Sequence, residues 1–215
     1  MINQKIAALR QDYKQATLDE QDVAAAPIPQ FGRWWEDAIQ SQLEEPNAMT
    51  LATSTADGKP SARIVLLKSF DENGFIFFTN YDSRKGRELA ENPRVTLLFF
   101  WKELERQVRI EGTVSKTDAA VNDEYFYSRP TGSQIGAIAS PQSQVIAGRS
   151  ILERKVLELE RVFAESGPQR PENWGGYLVK PKVMEFWQGR SSRLHDRLWY
   201  VLQEDNSWKI ERLAP

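Results

Sequence analysis

The sequence contains no cysteine and one histidine, His195, among 215 residues. The missing cysteine excludes disulfide scaffolds, cysteine zinc sites, iron–sulfur clusters and thiol nucleophiles. With one histidine, His-rich metal sites and HExxH peptidases are excluded as well, so no resident metal is expected. Redox chemistry would need a borrowed cofactor, because the chain has no redox-active thiol. No apolar run approaches the roughly 20 residues of a membrane helix, which argues against a membrane partner. The first residues, MINQKIAALRQDYKQATLDEQ, lack an apolar signal core, so a cytoplasmic location is expected. GxGxxG, GxxxxGK[ST] and GxSxG are all missing, which leaves standard dinucleotide, P-loop and hydrolase readings without support. A charge excess is lacking too: 28 Lys and Arg stand against 30 Asp and Glu, a net charge of -2. A general nucleic-acid binder would be basic, so no nucleic-acid partner is expected, but a local anion site remains open.

The length suits one sizeable core with helical additions rather than two full domains. Residues 1–29 are expected to be a mobile N-terminal segment and linker, and 30–215 a single domain. Ile6, Leu9 and Tyr13 recur at helical spacing in the first segment, and AAAPIPQ (24–30) reads as a Pro-punctuated linker. Phe31, Trp34, Trp35, Ile39 and Leu43 predict one helical face over 30–45, with Pro46 as the stop. AMTLATST, SARIVLLKSF (61–70) and FIFFTN then read as strands joined by tight turns, an antiparallel meander. SRKGRELAENP predicts a short helix capped by Ser83. RVTLLFFW, without polar alternation, is expected to be buried on both faces, whereas RQVRIEGTVSK alternates. Residues 117–165 read as mostly helical, and strands return over 177–189, 197–203 and 207–213. The sum is about seven strands in antiparallel order. The fold class expected is α+β, mainly β: a closed antiparallel barrel with helical additions and no βαβ alternation.

Basic residues stand in unusual places. Arg63 and Lys68 bracket an apolar IVLL, where unpaired charge is costly, unless each is an exposed strand end. Their spacing puts them on opposite faces of a regular strand, so either a bulge intervenes or they serve different groups. Ser83, Arg84 and Lys85 at a helix start could cradle an anion or form a solvated basic turn. Tyr125, Arg129 and Ser133 would share one helical face and could hold a phosphate, although Pro130 interrupts the helix; plain helix packing is the alternative. In WQGRSSRLHDR (187–197), Arg193, His195 and Arg197 share parity and would face one way in extended chain. Arginines crowding the lone histidine point to an anionic ligand rather than a core role.

Taken together, RIVLLK (63–68), FTNYDSRKG (78–86), QVRIEG (107–112), EYFYSRPTGSQIGA (124–137), SPQSQ (140–144), EFWQGRSSRLHDR (185–197) and RLAP (212–215) resemble the pyridoxine (pyridoxamine) 5′-phosphate oxidase family. The resemblance covers nearly the whole chain. It implies an FMN-binding split β-barrel and a homodimer with FMN at the subunit interface. It also implies oxidation of pyridoxine or pyridoxamine 5′-phosphate to pyridoxal 5′-phosphate, with O2 as acceptor. Hydrogen peroxide would be released, with ammonia from the amine. Position by position, it places Arg63, Ile64, Val65, Leu66, Leu67 and Lys68 along FMN, and Phe78 and Thr79 in its wall. Arg84 and Lys85 would hold its phosphate, Gln107 would bond its ring, and Gln142 with Ser143 would complete the site from the partner subunit. Trp187 and Arg197 would flank the flavin. Lys68, Tyr125, Arg129 and Ser133 would bind the substrate phosphate, while Arg193, Leu194 and His195 would contact the substrate ring. Arg193 and His195 are the catalytic candidates, and Arg10 and Tyr13 resemble a segment that covers the substrate. Two phosphomonoesters in one cleft would explain clustered cations in a chain of near-neutral charge. The alternatives are another split-barrel flavin reductase, or a carrier of flavin or pyridoxal phosphate.

Overall fold

A computed structural model describes residues 12–215. Five helices and nine strands are present among them, so the α+β expectation holds. The helices are α1 (Pro27–Gln40), α2 (Arg84–Glu91), α3 (Ala119–Ser128), α4 (Thr131–Ala139) and α5 (Arg149–Val162). The strands are β1 (Ala48–Ser54), β2 (Pro60–Leu66), β3 (Ser69–Asp71), β4 (Gly74–Asn80), β5 (Arg94–Trp101), β6 (Arg106–Lys116), β7 (Trp174–Gln188), β8 (Asp196–Leu202) and β9 (Trp208–Arg212). Hydrogen bonding runs β2-β1-β5-β6-β7-β4-β3, with β8 joining β7 to β9. The β3/β4, β4/β7, β7/β8 and β8/β9 pairs are antiparallel.

The described residues form two compact units, 12–50, 96–111 and 181–215 in the first and 51–95 with 112–180 in the second. In the first, α1 begins at Pro27, inside the stretch expected to be linker, because proline at the first helical position loses no needed N–H. Phe31, Trp34 and Ala38 bury its apolar face. The helix ends at Gln40, five residues before the expected end at 45, and Gln42 and Glu45 take left-handed φ values of 54° and 48°. Leu43 therefore lies outside it, and Ile39 is 51% exposed rather than part of the packed face. Phe31 meets Phe99 at 5.2 Å, and Phe186 meets Trp34 and Tyr200 edge-on at 5.2 and 5.4 Å.

In the second unit, β4 is buried on both sides and Phe77 stacks on Tyr177. Ser83 caps α2 by accepting the Gly86 N–H at 3.2 Å. A Cβ at Gly86 would lie 2.0 Å from the Tyr81 carbonyl oxygen, so only glycine lets α2 start this close to the end of β4. The expected strand over 61–70 is two strands: β2 stops at Leu66, buried Leu67 intervenes, and Lys68 bonds Ile76 O before β3 begins. Ile135 and Ala139 of α4 pack with Leu159 of α5. The strand β5 is not buried on both faces: burial alternates along it, and Phe100 is 55% exposed.

Candidate functional site

The second unit contains a cavity of about 560 Å³. Four cations line it, Arg63, Lys68, Lys85 and Arg129, and no carboxylate does. Ile64, Val65, Leu66, Phe78 and Thr79 form one wall, and Tyr125, Ser133 and Gln142 add polar groups. The break after Leu66 explains how Arg63 and Lys68 reach one cavity despite their odd spacing: the chain is not one regular strand between them. Tyr125, Arg129 and Ser133 also meet there, although no continuous helix joins them. Arg129 is extended at the end of α3 (ψ 150°), and α4 restarts after Pro130.

Each cation is held differently. Arg63 donates to Thr53 Oγ1 (2.6 Å), Ser61 Oγ (2.5 Å), Leu51 O (3.2 Å) and Glu88 Oε2 (3.2 Å). Glu88, 4% exposed, also accepts Arg84 Nε at 2.8 Å and both the Thr53 and Ser61 hydroxyls at 2.5 Å. Burial would raise its carboxyl, but these donors outweigh burial and hold it at about 2. Lys85 donates to Thr79 Oγ1 at 3.1 Å and Gln142 Oε1 at 3.0 Å. Burial, and then the charge of Arg63, push its ammonium down to about 8. Arg129 lies 4.8 Å over the Trp174 ring and donates Nη2 to Ser133 O at 2.9 Å. Its Nη1 is buried with no partner, and burial lowers its pKa. A buried guanidinium nitrogen without an acceptor is costly unless a ligand supplies one.

These features fit a phosphorylated ligand with an apolar body. The phosphate would complete the donors of Lys85 or Arg129, and the Ile64–Leu66 wall and the Phe78–Tyr125–Trp174 stack would cover a ring. Arg84 does not line the cavity: its side chain is 60% exposed and paired with Glu88. Ser83 is fully buried and its hydroxyl is spent on Asn80 O and Gly86 N–H, so this helix start is no open cradle. Leu67 faces the core, and Ser143 is exposed with φ 70°. Gln142, expected from a partner subunit, already contacts Lys85 of its own chain. Sequence reasoning missed Trp174, which precedes the strand expected over 177–189 yet opens β7 opposite Asn80. It also missed Glu88, whose signal is its position four residues after Arg84 on the Ser83-capped helix.

The first unit holds the other candidates. The Trp187 and His195 rings lie 4.6 Å apart, and Tyr13 is 5.9 Å from each. A Cβ at Gly189 would fall 2.7 Å from the Tyr13 ring, so glycine makes room for it. His195 Nδ1 accepts the Arg190 N–H at 3.1 Å. Burial, then Arg193, lower the histidine pKa against the opposing pull of Asp196. The shared-parity argument fails here, because Ser191–Arg193 form a tight turn with Ser192 and Arg193 at φ 55° and 62°. Arg193 is exposed and makes no hydrogen bond or ion pair among the described residues, and Leu194 is 70% exposed. Arg197, in β8, donates to Glu185 Oε1 at 2.7 Å and Ala214 O at 2.9 Å, and the Glu185 bond raises its pKa. Buried Glu185 also takes Arg109 Nη2 at 2.6 Å. Gln107 is half-buried on β6. Arg10 lies outside the described residues. No group of three or more His, Asp or Glu able to hold a metal exists among them, and none of their helices is long and apolar enough to cross a membrane.

Comparison with known proteins adds to this geometry. The family profile described as pyridoxamine 5′-phosphate oxidase matches residues 35–163, and one described as the pyridoxine 5′-phosphate oxidase C-terminal dimerisation region matches 174–215. The chain is 56% identical over 214 residues to a pyridoxine/pyridoxamine 5′-phosphate oxidase of Trichormus variabilis, covering 100% of both. Among solved structures it resembles PhzG from Burkholderia lata, in complex with tetrahydrophenazine-1-carboxylic acid. The TM-score is 0.86 at 35% identity, over 93% of this chain and 98% of that one. A pyridoxamine 5′-phosphate oxidase-related, FMN binding protein from Nostoc punctiforme shares the fold, with TM-score 0.70 at 17% identity, over 90% and 100% of the chains.

Proposed function

The chain belongs to the pyridoxamine 5′-phosphate oxidase family, and on that premise we propose that it converts pyridoxamine or pyridoxine 5′-phosphate to pyridoxal 5′-phosphate, with FMN as cofactor. The observation that carries this reading is the cavity with four cations and no carboxylate, in which Arg129 Nη1 is buried without a partner. Arg63 has Glu88 as counter-charge, but Arg129 has no carboxylate partner among the described residues and its buried Nη1 calls for an anionic ligand. The relatives named for this activity match over the full length.

The assigned roles follow from how each residue is held. Arg63, fixed by Thr53, Ser61 and Glu88, and Lys85 would grip the FMN phosphate, with Arg84 tied to the same Glu88. Ile64 through Leu66, with Phe78 and Thr79, would wall the flavin, and Gln107, Gln142, Ser143, Trp187 and Arg197 would bound it. Lys68, Tyr125, Arg129 and Ser133 would take the substrate phosphate. Phosphate anchoring leaves the reacting carbon to be oriented by Arg193 and His195, with Tyr13 and Arg10 excluding water. The chemistry FMN supplies when bound is acceptance of two electrons from the substrate, with O2 as the final acceptor and hydrogen peroxide as product. The amine substrate would take up water and release ammonia, which balances the reaction. A homodimer is proposed from the match of residues 174–215 to a dimerisation region.

The test is an absorbance spectrum of the purified protein, followed by pyridoxamine 5′-phosphate in air with peroxide detection. A yellow protein that forms peroxide and pyridoxal 5′-phosphate in equal amounts supports the reading. A colourless protein that FMN does not reconstitute refutes it. Bleaching by NADPH but not by the amine would favour a reductase.

A further inference from the structure

His195 is the chain's only histidine, and its environment dictates which nitrogen carries the proton. Its Nδ1 accepts the Arg190 backbone N–H at 3.1 Å. An accepting ring nitrogen presents a lone pair, so the neutral ring is protonated at Nε2. The Arg190 backbone is itself held in place. Its Nη1 donates to Asp196 Oδ2 at 3.0 Å. The same oxygen accepts the Leu18 N–H at 3.1 Å, and Asp196 Oδ1 accepts Arg212 Nη1 at 2.8 Å. Three donors from three parts of the first unit thus fix one carboxylate that is only 15% exposed. Trp187 and Tyr13 pack against the imidazole, and Ser191 Oγ donates to Tyr13 O at 3.2 Å, which limits ring rotation.

We propose that His195 serves the substrate as a hydrogen-bond donor through Nε2 rather than as a base, and that Arg190 and Asp196 are positioning residues that fix this tautomer. The proposal rests on the reading of His195 as a substrate contact. A base needs an unprotonated nitrogen with a free lone pair. Here the Nδ1 lone pair is engaged, and Nε2 already holds the proton. The surroundings of the ring act in the same sense on balance: burial and then Arg193 disfavour the imidazolium, Asp196 favours it, and the Arg190 guanidinium is paired with Asp196. Tyr13 and Trp187 contribute ring faces and edges, not charge. The ring therefore stays neutral at neutral pH, with one N–H to offer an oxygen of the substrate.

One histidine gives one imidazole signal, so the test is direct. Full-length protein reconstituted with FMN and labelled with 15N-histidine is followed by NMR from pH 5 to 9. The expected result at pH 7.5 is a protonated Nε2 and an unprotonated Nδ1, with a titration midpoint below the ordinary histidine value of about 6.5. Arg190→Met should mix in the other tautomer and raise the midpoint. A wild-type ring protonated at Nδ1, or charged at pH 7.5, overturns the proposal without reference to turnover. Activity gives a second readout, because a Gln amide N–H falls near Nε2 and an Asn amide near Nδ1. Both His195→Gln and His195→Asn should lower kcat/KM for pyridoxamine 5′-phosphate, but Gln should retain about tenfold more of it than Asn. Equal losses in the two overturn the donor role. Absence of turnover by the wild-type protein would overturn the donor role together with the functional reading, while the NMR result would still report the tautomer.

Discussion

Replacing Glu88 with Gln should destabilise the protein by an amount that depends on pH. Glu88 is buried on α2 and accepts hydrogen bonds from Ser61, Thr53, Arg84 and Arg63. Burial alone would raise its carboxyl; the donors win and lower it from 4.5 to about 2. At about 1.4 kcal/mol per tenfold change in acidity, that displacement is worth about 3 kcal/mol. The folded-state value is depressed, so the contribution is fully present above pH 4.5 and is lost as pH falls towards 2. Gln keeps the shape and can still accept the two hydroxyls, but it strips Arg63 of its buried counter-charge. Urea unfolding at pH 7, 5 and 3 should show a loss of about 3 kcal/mol at pH 7, equivalent to roughly 6–12 °C in Tm for a chain of this size. The difference from wild type should hold at pH 5 and shrink at pH 3. A loss under about 1 kcal/mol at pH 7 would refute the reasoning. So would a difference that stays constant down to pH 3, since the carboxylate would then not be the group responsible.

Lys85 is pushed down to about 8 by burial and Arg63, so the apoprotein loses a cation as pH rises through that value. FMN affinity, read by quenching of flavin fluorescence, should be near its maximum at pH 7, fall as pH passes through about 8 and be weaker at pH 9.5. Lys85→Met should bind more weakly and lose this limb, and an unchanged affinity at pH 9.5 would count against the assignment. Arg129→Ala should raise KM for pyridoxamine 5′-phosphate by about tenfold to a hundredfold while FMN retention stays unchanged; an unaltered KM removes Arg129 from the phosphate site. Gly86→Ala places a Cβ 2.0 Å from the Tyr81 carbonyl oxygen and should lower Tm by several degrees or abolish soluble expression, whereas wild-type thermal behaviour would show that the α2 start can move.

The parts of the fold that were legible in the sequence are those set by neighbours along the chain. Alternation marked β6, the Asp71–Gly74 turn marked the β3/β4 hairpin, and Ser83 marked the start of α2. The misjudged parts are those where distant residues choose the backbone. Arg63 and Lys68 looked incompatible because a regular strand would oppose them. The chain instead breaks at Leu67, which the core takes in, and both cations then face one cavity. Arg129 shows the same logic: Pro130 ends α3, and the extended residue before it lets the guanidinium lie on Trp174, a partner 45 positions away that no local pattern reveals. At His195 the failure is of the opposite kind, since parity assumed an extended chain where Ser192 and Arg193 turn left-handed. That turn costs energy in two non-glycine residues, and Arg190, Asp196 and Tyr13 hold it in place. Local pattern therefore finds the cations that a phosphate needs, but their convergence in the cavity depends on two irregular joints, at Leu67 and Pro130, each set by packing beyond the reach of sequence periodicity.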